Sequence, residues 1–386
     1  MIQIFNEILQ HYTWAGVALM GVIVVLFFVQ LYYYLIAYYR IYRFRLMRRK
    51  RRFVENPPVS VIVAVRGENE RFLTEELPVL LNQQYPHYEV VVVYIGGDME
   101  YYEELQNIRN NYSYMRLTKM GGNDRIYITT KQALNVGIKS AQYEAMLFTT
   151  TGSMPKSDEW ITFMAKGFEY GEVVVGSAIA SYEQDNLTNY LKRMVELHNM
   201  RNAMASAVQG NFFYAPRCNY GFTKSLYDST RGFNHLAIDI GDNDLYLQDI
   251  ATPERLSVVL SPRAIVEEQR PEEWREWLEH MRYYGSTVNS YPSSCRLFMR
   301  RERGSRVLFF LSSIVAIAIL PFEVKIAVAV LMLLRYIIVL FSSFRVGRKL
   351  GESGIVLRYW IYDIVGPVVE WIIGSHDSYN TPKIWR

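Results

Sequence analysis

Two aspartates, Asp242 and Asp244, are the residues whose type and spacing most directly suggest chemistry in this sequence. They stand one residue apart in the run Gly-Asp-Asn-Asp. An aspartate within hydrogen-bond reach of a hydroxyl group can act as its general base. The same run is also typical of a turn or of a helix N-cap, roles that involve no catalysis. Both roles are therefore open for this pair.

The residues ahead of the aspartates alternate between two patterns, which define the elements that must position them. A short β-branched run typical of buried parallel strands occupies residues 59–65, and two further runs predicted as strands occupy residues 89–95 and 145–149. Apolar residues with helical spacing occupy 68–83 and 131–140. This alternation predicts an α/β domain with a mostly parallel sheet covered by helices. Because ligands bind at the carboxyl ends of the strands in such sheets, the residues that follow each strand are candidate site residues.

The hydrophobic residues, 50% of the 386, are clustered rather than spread evenly. No charged residue occurs from Tyr12 to Tyr39, a run longer than the about 20 residues that cross a bilayer. Eight Arg and Lys residues follow between Arg40 and Arg52. Basic residues that flank a span stay on the cytoplasmic side, so we expect an outer N-terminus and a cytoplasmic central segment. The basic run suits anionic membrane lipids as partners, and no nucleic-acid motif accompanies it.

The C-terminal third is apolar again and predicts a helical hairpin from residues 307–322 and 326–344. Arg335 lies inside the second leg, and we interpret it as a helix-bundle contact or a snorkelling side chain rather than a functional site. Residues 355–374 are apolar but carry several polar side chains, so they either span the membrane or lie in its interface. The two cysteines are too few for a disulfide framework and are expected to be free thiols.

Four stretches of the sequence resemble, in order, the landmarks of family 2 glycosyltransferases. They are the opening strand at residues 59–63 with Arg66-Gly67-Glu68, residues 81–93, residues 133–141 and residues 241–245. The resemblance implies a GT-A fold, a Rossmann-like α/β mixed sheet with helices on both faces, flanked here by transmembrane helices. It also implies sugar transfer from a nucleotide sugar to an envelope glycan or lipid-linked acceptor. The expected location is the bacterial inner (cytoplasmic) membrane, as a multi-pass protein with its large domain in the cytoplasm.

On this resemblance the chain divides into four parts. Residues 1–52 form an N-terminal transmembrane helix and a basic juxtamembrane segment, and residues 53–304 form the GT-A-like glycosyltransferase domain. Residues 305–345 form a transmembrane helical hairpin. Residues 346–386 form an interfacial or third C-terminal membrane segment and a tail.

The resemblance also implies the site residues. Asp242 takes the position of the family's general base, with Asp244 beside it. The residues expected to contact the nucleotide sugar are Arg66, Glu68, Asp98, Lys131, Thr150, Gly152 and Arg282.

The sequence departs from the family pattern on the donor side. The aspartates of the metal-binding D-x-D motif fall on Thr150 and Gly152, and the aspartate pair that contacts the nucleobase falls on Tyr94 and Ile95. The family's Q-x-x-R-W motif would match residues 280–284, which lack the Gln and place the arginine one residue early.

These departures bear on the cofactor that the family leads us to expect, a divalent cation such as Mg²⁺ or Mn²⁺. Such a cation neutralises the leaving diphosphate and prefers charged oxygen ligands, which Thr150 and Gly152 do not provide. We therefore expect no tightly bound cation at these two positions. Fixed positive charge can stabilise the leaving group instead, and the candidate side chains are Arg66, Lys131, Arg217 and Arg282.

Two functions follow from this combination of features. The first is an inverting glycosyltransferase that is atypical in its use of metal. The alternative is a pseudo-glycosyltransferase that acts as a binding or scaffolding partner of other envelope-glycan enzymes. Asp242, Asp244 and the membrane segments favour the first, and the altered donor-side motifs favour the second.

Overall fold

The computed structural model of the chain describes residues 14–48, 50–121, 127–230, 232–233, 240–352, 354 and 358–374. The first two residues of the apolar N-terminal run, the first three residues of the segment 355–374 and the tail from residue 375 lie outside the described residues.

Ten strands form two sheets in the described part of the chain. They are β1 Val59–Arg66, β2 Tyr88–Ile95, β3 Met115–Met120, β4 Ala145–Thr150, β5 Ser153–Pro155, β6 Val173–Val175, β7 Ala178–Ser181, β8 Tyr220–Thr223, β9 Leu256–Val258 and β10 Val266–Gln269. The larger sheet has the order β3-β2-β1-β4-β8-β6-β9, and β8 runs antiparallel to its two neighbours while the other neighbouring pairs are parallel. The smaller sheet has the order β5-β10-β7. The prediction of an α/β mixed sheet is confirmed.

The helices of the described residues lie before, between and after these strands. They are α1 Trp14–Leu31, α2 Tyr39–Arg43, α3 Leu77–Leu81, α4 Met99–Asn111, α5 Thr130–Ser140, α6 Trp160–Phe168, α7 Leu187–Ala207, α8 Lys224–Asp228, α9 Leu245–Ile250, α10 Trp274–Gly285, α11 Ser293–Ile319, α12 Phe322–Leu350 and α13 Tyr359–Gly374. Two π-helical turns, Tyr32–Ala37 and Phe72–Glu76, and three 3₁₀ turns, Leu46–Arg48, Pro262–Ala264 and Ser286–Ser290, complete the elements.

Helices cover both faces of the larger sheet because successive side chains of each strand point to opposite sides. Ile62 of β1 packs on one face, in the same core as Leu134 of α5. Val63 packs on the other face, in the core that contains Leu105 of α4 and Trp160 of α6. This two-sided cover places the carboxyl ends of β1, β2 and β4 at one open edge.

Two helical stretches among the described residues are long and apolar enough to cross a membrane. One is Trp14–Arg43, which joins α1, a π-helical turn and α2, and the other is α12. Helices α11 and α12 form a helical hairpin, and α11 begins at Ser293, before the expected boundary at residue 305. Ile23 of α1, Phe309 of α11 and Val328 of α12 pack together in a core of their own.

Arg335 lies inside this helical assembly, with 2% of its surface exposed. Its guanidinium forms an ion pair with Asp363 of α13, and its Nη2 donates to Oε1 of Gln30 in α1 over 2.7 Å. Arg335 therefore makes a helix-bundle contact, one of the two interpretations that the sequence allowed.

Helix α13 buries its charges and exposes its apolar side. Asp363 and Glu370 are both buried against the rest of the protein. The exposed side chains follow helical spacing and are Trp360, Ile364, Val368 and Trp371. An apolar outer stripe over a polar inner face suits a helix whose outer side lies against hydrocarbon.

Candidate active site

A small cavity of about 20 Å³ lies at the carboxyl end of β4. Strands β1 and β4 are adjacent and parallel, so their carboxyl ends lie side by side. The cavity lining includes Ala64, Thr149, Thr150, Arg217, Tyr220 and Asp242. The structure thus brings the expected base and the first position of the D-x-D motif to one place.

Asp242 is almost fully buried, with 1% of its surface exposed. The hydroxyl of Tyr220 donates to its Oδ2 over 2.8 Å, and Nη2 of Arg217 lies 3.1 Å from its Oδ1 as an ion pair. That ion pair is not aligned as a hydrogen bond, and Oδ1 accepts no hydrogen bond from any described residue. Oδ1 therefore keeps a lone pair for an incoming hydroxyl group.

Asp242 and Tyr284 both help to hold Arg217 in place. Its Nη1 donates to the hydroxyl of Tyr284 over 3.2 Å, and its guanidinium lies 5.3 Å from the centre of that ring. Burial lowers the pKa of Arg217, but Asp242, Tyr284 and Tyr220 together raise it by more, so the pKa lies above its ordinary value. Arg217 is therefore a fixed positive charge beside Asp242.

Asp244 has a different environment, although it is only two residues away. It caps α9, since its Oδ1 accepts from the backbone N–H of Leu245 over 2.6 Å. The hydroxyls of Thr287 and Tyr291 both donate to its Oδ2. Burial raises its pKa, although these hydrogen bonds lower it in part. The geometry supports a capping role for Asp244 and leaves Asp242 as the candidate base.

The turn after β4 is closed by a buried carboxylate from another element. The N–H of Gly152 donates to both oxygens of Glu76, over 3.0 and 3.1 Å. Gly152 has a φ of +77°, which glycine adopts without strain. Burial raises the pKa of Glu76 to about 7. Thr149 and Ser153 add a hydroxyl–hydroxyl hydrogen bond of 3.1 Å across the same turn.

The residues at this turn do not fit a divalent cation. Thr150 offers a hydroxyl and Gly152 has no side chain, while Glu76 is bound to the Gly152 N–H and Asp242 is paired with Arg217. Within the described ranges no cluster of three or more His, Cys, Asp or Glu side chains is arranged to hold a metal ion. The donor set available here is therefore poor for hard cations.

At the end of β2, two apolar or aromatic side chains stand where the family has its nucleobase aspartates. Tyr94 points into the core that contains Val63 and stacks on Tyr102, with ring centres 6.0 Å apart and planes at 19°. Ile95 points to the opposite face, toward the core that contains Leu134. Neither side chain has a carboxylate that could contact the nucleobase of a donor.

The remaining expected donor residues at this edge follow β1 and β2. Asp98 caps α4 by accepting from the N–H of Tyr101 over 2.7 Å. It also raises the pKa of Glu68, so the two carboxyl groups lie close together. Arg66 donates to the carbonyl of Ile128 and lies 4.9 Å from the ring centre of Tyr127. Asp98 and Glu68 thus form one pair, while Arg66 contacts the residues that precede α5.

Lys131 lies on the other side, next to the aspartates. It is 4% exposed. Its Nζ lies close to Gly241, 3.5 Å from the position that a Cβ would take if that glycine had a side chain. Gly241 has a φ of +96° and directly precedes Asp242. Lys131 and Arg217 therefore place two positive charges around the candidate base.

A second, much larger cavity of about 490 Å³ adjoins the first, since Arg217 lines both. It extends from Gly241 and Asp244 to Trp371 and Gly374 near the end of α13. Arg282 of α10 lines this cavity, and its Nη2 donates to the carbonyl of Ile372 over 3.1 Å. The structure thus places Arg282 in the large cavity rather than in the small one.

Several residues of the site were missed by reasoning from the sequence. They are Glu76, Tyr220, Thr287 and Tyr291. Each acts through a residue that is at least 22 positions away in the chain, as Tyr220 does with Asp242. No local pattern marks such residues, because their roles depend on how distant elements pack.

The comparisons with known proteins agree with this fold. A mannosyltransferase from Pyrobaculum calidifontis, PcManGT in complex with GDP-Man and Mn2+, is similar over 90% of this chain and 99% of its own, with 15% identity and a TM-score of 0.54. TarS from S. aureus, residues 1–349, is similar over 83% of this chain and 90% of its own, with 17% identity and a TM-score of 0.43. At these identities the first likeness shows the fold alone, and the second is too weak to support an argument. Comparison with curated protein sequences gave no match.

The fold is that of the GT-A glycosyltransferases. The chain belongs to glycosyl transferase family 21, whose model matches residues 22–374. The resemblance to GT-A glycosyltransferases that the sequence indicated is confirmed, with family 21 as the matching family.

Proposed function

We propose that this chain is a membrane-anchored glycosyltransferase that moves a sugar from a nucleotide sugar to a lipid-linked or envelope-glycan acceptor. The observation that carries the proposal is the position of Asp242. It lines the small cavity at the end of β4, and its neighbours Gly241, Asn243 and Asp244 line the large cavity that extends to α13. A base at the junction of two cavities can meet a donor from one side and an acceptor from the other.

The proposed chemistry is a single displacement at the anomeric carbon of the donor sugar. An acceptor hydroxyl forms the new bond to that carbon while the bond to the diphosphate oxygen breaks, and the hydroxyl proton passes to Oδ1 of Asp242. The diphosphate leaves with negative charge. Lys131, which is buried, and Arg217, whose side chain is 12% exposed, are the positive groups beside Asp242, and fixed charges of this kind stabilise a leaving group without reorganising.

The proposed location is the bacterial inner membrane, with several spans and the large domain in the cytoplasm. Support comes from the two membrane-crossing candidates and from the basic run between Arg40 and Arg52, which suits the cytoplasmic leaflet. The four-part division of the chain at residues 52, 304 and 345 belongs to the same proposal.

A cysteine-labelling experiment tests this topology. Cys218 and Cys295 are both buried, so the natural chain should react little with a membrane-impermeant maleimide. Asp185→Cys introduces a thiol at a side chain that is 92% exposed. We expect labelling only after the cells are permeabilised. Labelling in intact cells at normal protein abundance would contradict a cytoplasmic domain.

A second candidate function is a pseudo-glycosyltransferase that serves as a binding or scaffolding partner of other envelope-glycan enzymes. Two features of the donor side favour it. The N–H of Gly152 already donates to Glu76, and Ile95 stands where the family has a carboxylate that contacts the nucleobase. Such a site would have little to offer a nucleotide.

Calorimetric titration of the purified full-length protein with UDP-sugars and GDP-sugars, with and without Mg²⁺, separates the two functions. The transferase proposal expects saturable binding that does not depend on Mg²⁺, because the chain supplies the positive charge. Micromolar Mg²⁺ or Mn²⁺ binding that a Thr150 substitution removes would show that a cation is held after all. Failure of every nucleotide sugar to bind would favour the scaffold.

A further inference from the structure

The large cavity is lined by many arginines, and their partners divide them into two groups. Four of them are paired with carboxylates: Arg193, Arg217, Arg270 and Arg303. Arg282, Arg296 and Arg300 also line the cavity, and none of these three has a carboxylate of any described residue within ion-pair distance. Three cations that face one cavity without a counter-charge indicate that an anion is missing from it.

Two of the three arginines are spaced so that they can bind one anionic group. Arg296 and Arg300 are four residues apart on α11, so about one helical turn, roughly 6 Å of axial rise, separates them on the same face. The Nε atoms of Arg282 and Arg296 are buried, and neither has a hydrogen-bond partner in the part of the chain that the structure describes. A buried N–H without a partner is costly, and phosphate oxygens are the acceptors that guanidinium groups bind best.

The surroundings of the cavity show where such an anion would come from. The lining includes Trp371, Ile373 and Gly374 of α13, and Trp371 belongs to the exposed apolar stripe of that helix. It also includes Gly241 and Asp244, next to the candidate base. A molecule that fills the cavity therefore contacts both the apolar helix α13 and the surroundings of Asp242.

We infer that this cavity binds the phosphate of a lipid phosphate, with Arg282, Arg296 and Arg300 as the phosphate ligands. This inference deepens the proposed function, on which it rests, by assigning the acceptor to anionic lipids that carry their glycan through a phosphate. The lipid tail lies along α13, the phosphate meets the three arginines, and the glycan hydroxyl points toward Asp242. A volume of about 490 Å³ is adequate for a phosphate and a sugar residue.

The test measures binding of a prenyl phosphate to the purified full-length protein in nanodiscs, in the absence of any nucleotide sugar. The matched probes are the same prenol without phosphate and inorganic phosphate alone. We expect the prenyl phosphate to bind at least about tenfold more tightly than the prenol, which corresponds to one well-formed charged hydrogen bond. Equal affinity for prenol and prenyl phosphate would overturn the inference. Inorganic phosphate that binds as tightly as the prenyl phosphate would show a free-phosphate site instead.

The variant Arg296→Gln/Arg300→Gln should weaken prenyl phosphate binding about tenfold or more and leave prenol binding unchanged. The single variant Arg300→Gln should also weaken prenyl phosphate binding, but by a smaller factor. Because Arg300 is exposed, misfolding would not explain that loss. Arg301→Gln is the control, because Arg301 is also exposed on α11 but does not line the cavity. An equal loss in the control would contradict a specific phosphate site.

The same variants distinguish this inference from the proposed function. Titration with nucleotide sugars reports on the donor side and should be unaffected by the double variant. Loss of nucleotide-sugar binding together with intact prenyl phosphate binding would assign the arginines to the donor and overturn the inference. A protein that binds the lipid phosphate but no nucleotide sugar would instead agree with the inferred phosphate site and contradict the proposed transferase activity.

Discussion

The two cavities on either side of Asp242 differ in size and in what fixes their charges. The one at the end of β4 has about 20 Å³, close to the space of a single water molecule, and its turn is held shut by Glu76 and by hydroxyl groups. The one toward α13 has about 490 Å³ and faces three arginines without carboxylate partners. The donor side is thus satisfied by contacts within the chain, whereas the acceptor side is built for a molecule that the chain does not supply.

The difference in volume indicates on which side of Asp242 the protein has to rearrange. The large cavity has room for the proposed acceptor as it stands. A donor sugar needs more room than the small cavity gives, so the donor side must open before transfer. If it never opens, the chain retains an acceptor-binding surface and loses transfer, which is the scaffold function.

The largest expected effect comes from Asp242, which lines the small cavity and whose neighbours in the chain line the large one. In a transferase, Asp242→Asn should lower turnover about 10²–10⁴-fold and spare nucleotide-sugar binding, because an amide keeps the shape but cannot take a proton. The measurement is steady-state transfer together with calorimetric binding. Full complementation of envelope-glycan synthesis by Asp242→Asn would rule it out as an essential base.

This prediction needs a check on folding, because Asp242→Asn removes the charge that pairs with Arg217. Leaving a buried arginine without its partner is destabilising. Protein abundance by blot and the melting temperature of the purified variant should therefore accompany the activity measurement. A loss of turnover is evidence for a catalytic role of Asp242 only if the fraction of folded protein is unchanged.

A smaller effect, of a different kind, is expected from the neighbouring aspartate. Asp244→Asn should lower the free energy of unfolding by about 1–3 kcal/mol, since Thr287, Tyr291 and the α9 N-terminus lose a charged acceptor. Turnover per folded molecule should change little. Chemical denaturation in parallel with transfer assays measures both quantities. A large loss of turnover without a loss of stability would indicate that Asp244, rather than Asp242, is the general base.

The sequence predicted the elements of this fold well because their signals are local. β1, β2 and β4 lie within one residue of the predicted runs 59–65, 89–95 and 145–149, since each run is short and mostly apolar and the first two are rich in valine. The hairpin of α11 and α12 was likewise evident from two apolar runs around Pro321.

The site was harder to predict because its parts meet only in the folded chain. The sequence distinguished Asp242 from Asp244 only through the family resemblance. The physical difference between them arises from Tyr220 and Arg217 on one side and from Thr287 on the other. The arginines of α11 gave no signal either, because a basic run next to a membrane span looks the same whether it faces lipid headgroups or a cavity. Long-range packing decides both cases.

The smallest effect tests whether the donor side is a rigid, closed turn, and it uses pH. The pKa of Glu76 is raised to about 7 by burial, above the value near 4.5 of an exposed glutamate. The folded state therefore holds this proton more tightly than the unfolded state. The contribution of Glu76 to stability is present below about pH 4.5 and is lost as the pH rises through about 7.

Glu76→Gln should remove that pH dependence, because a glutamine keeps an acceptor for the N–H of Gly152 and does not titrate. Unfolding of the natural chain and of the variant should be compared between pH 5 and pH 8. Glu75→Gln is the matched control, since Glu75 is its exposed neighbour. We expect the variant to be less sensitive to pH than both the natural chain and the control. If its stability falls with pH as steeply as theirs, Glu76 is already open to solvent, the donor turn is not closed, and the contrast between the two cavities is one of size alone.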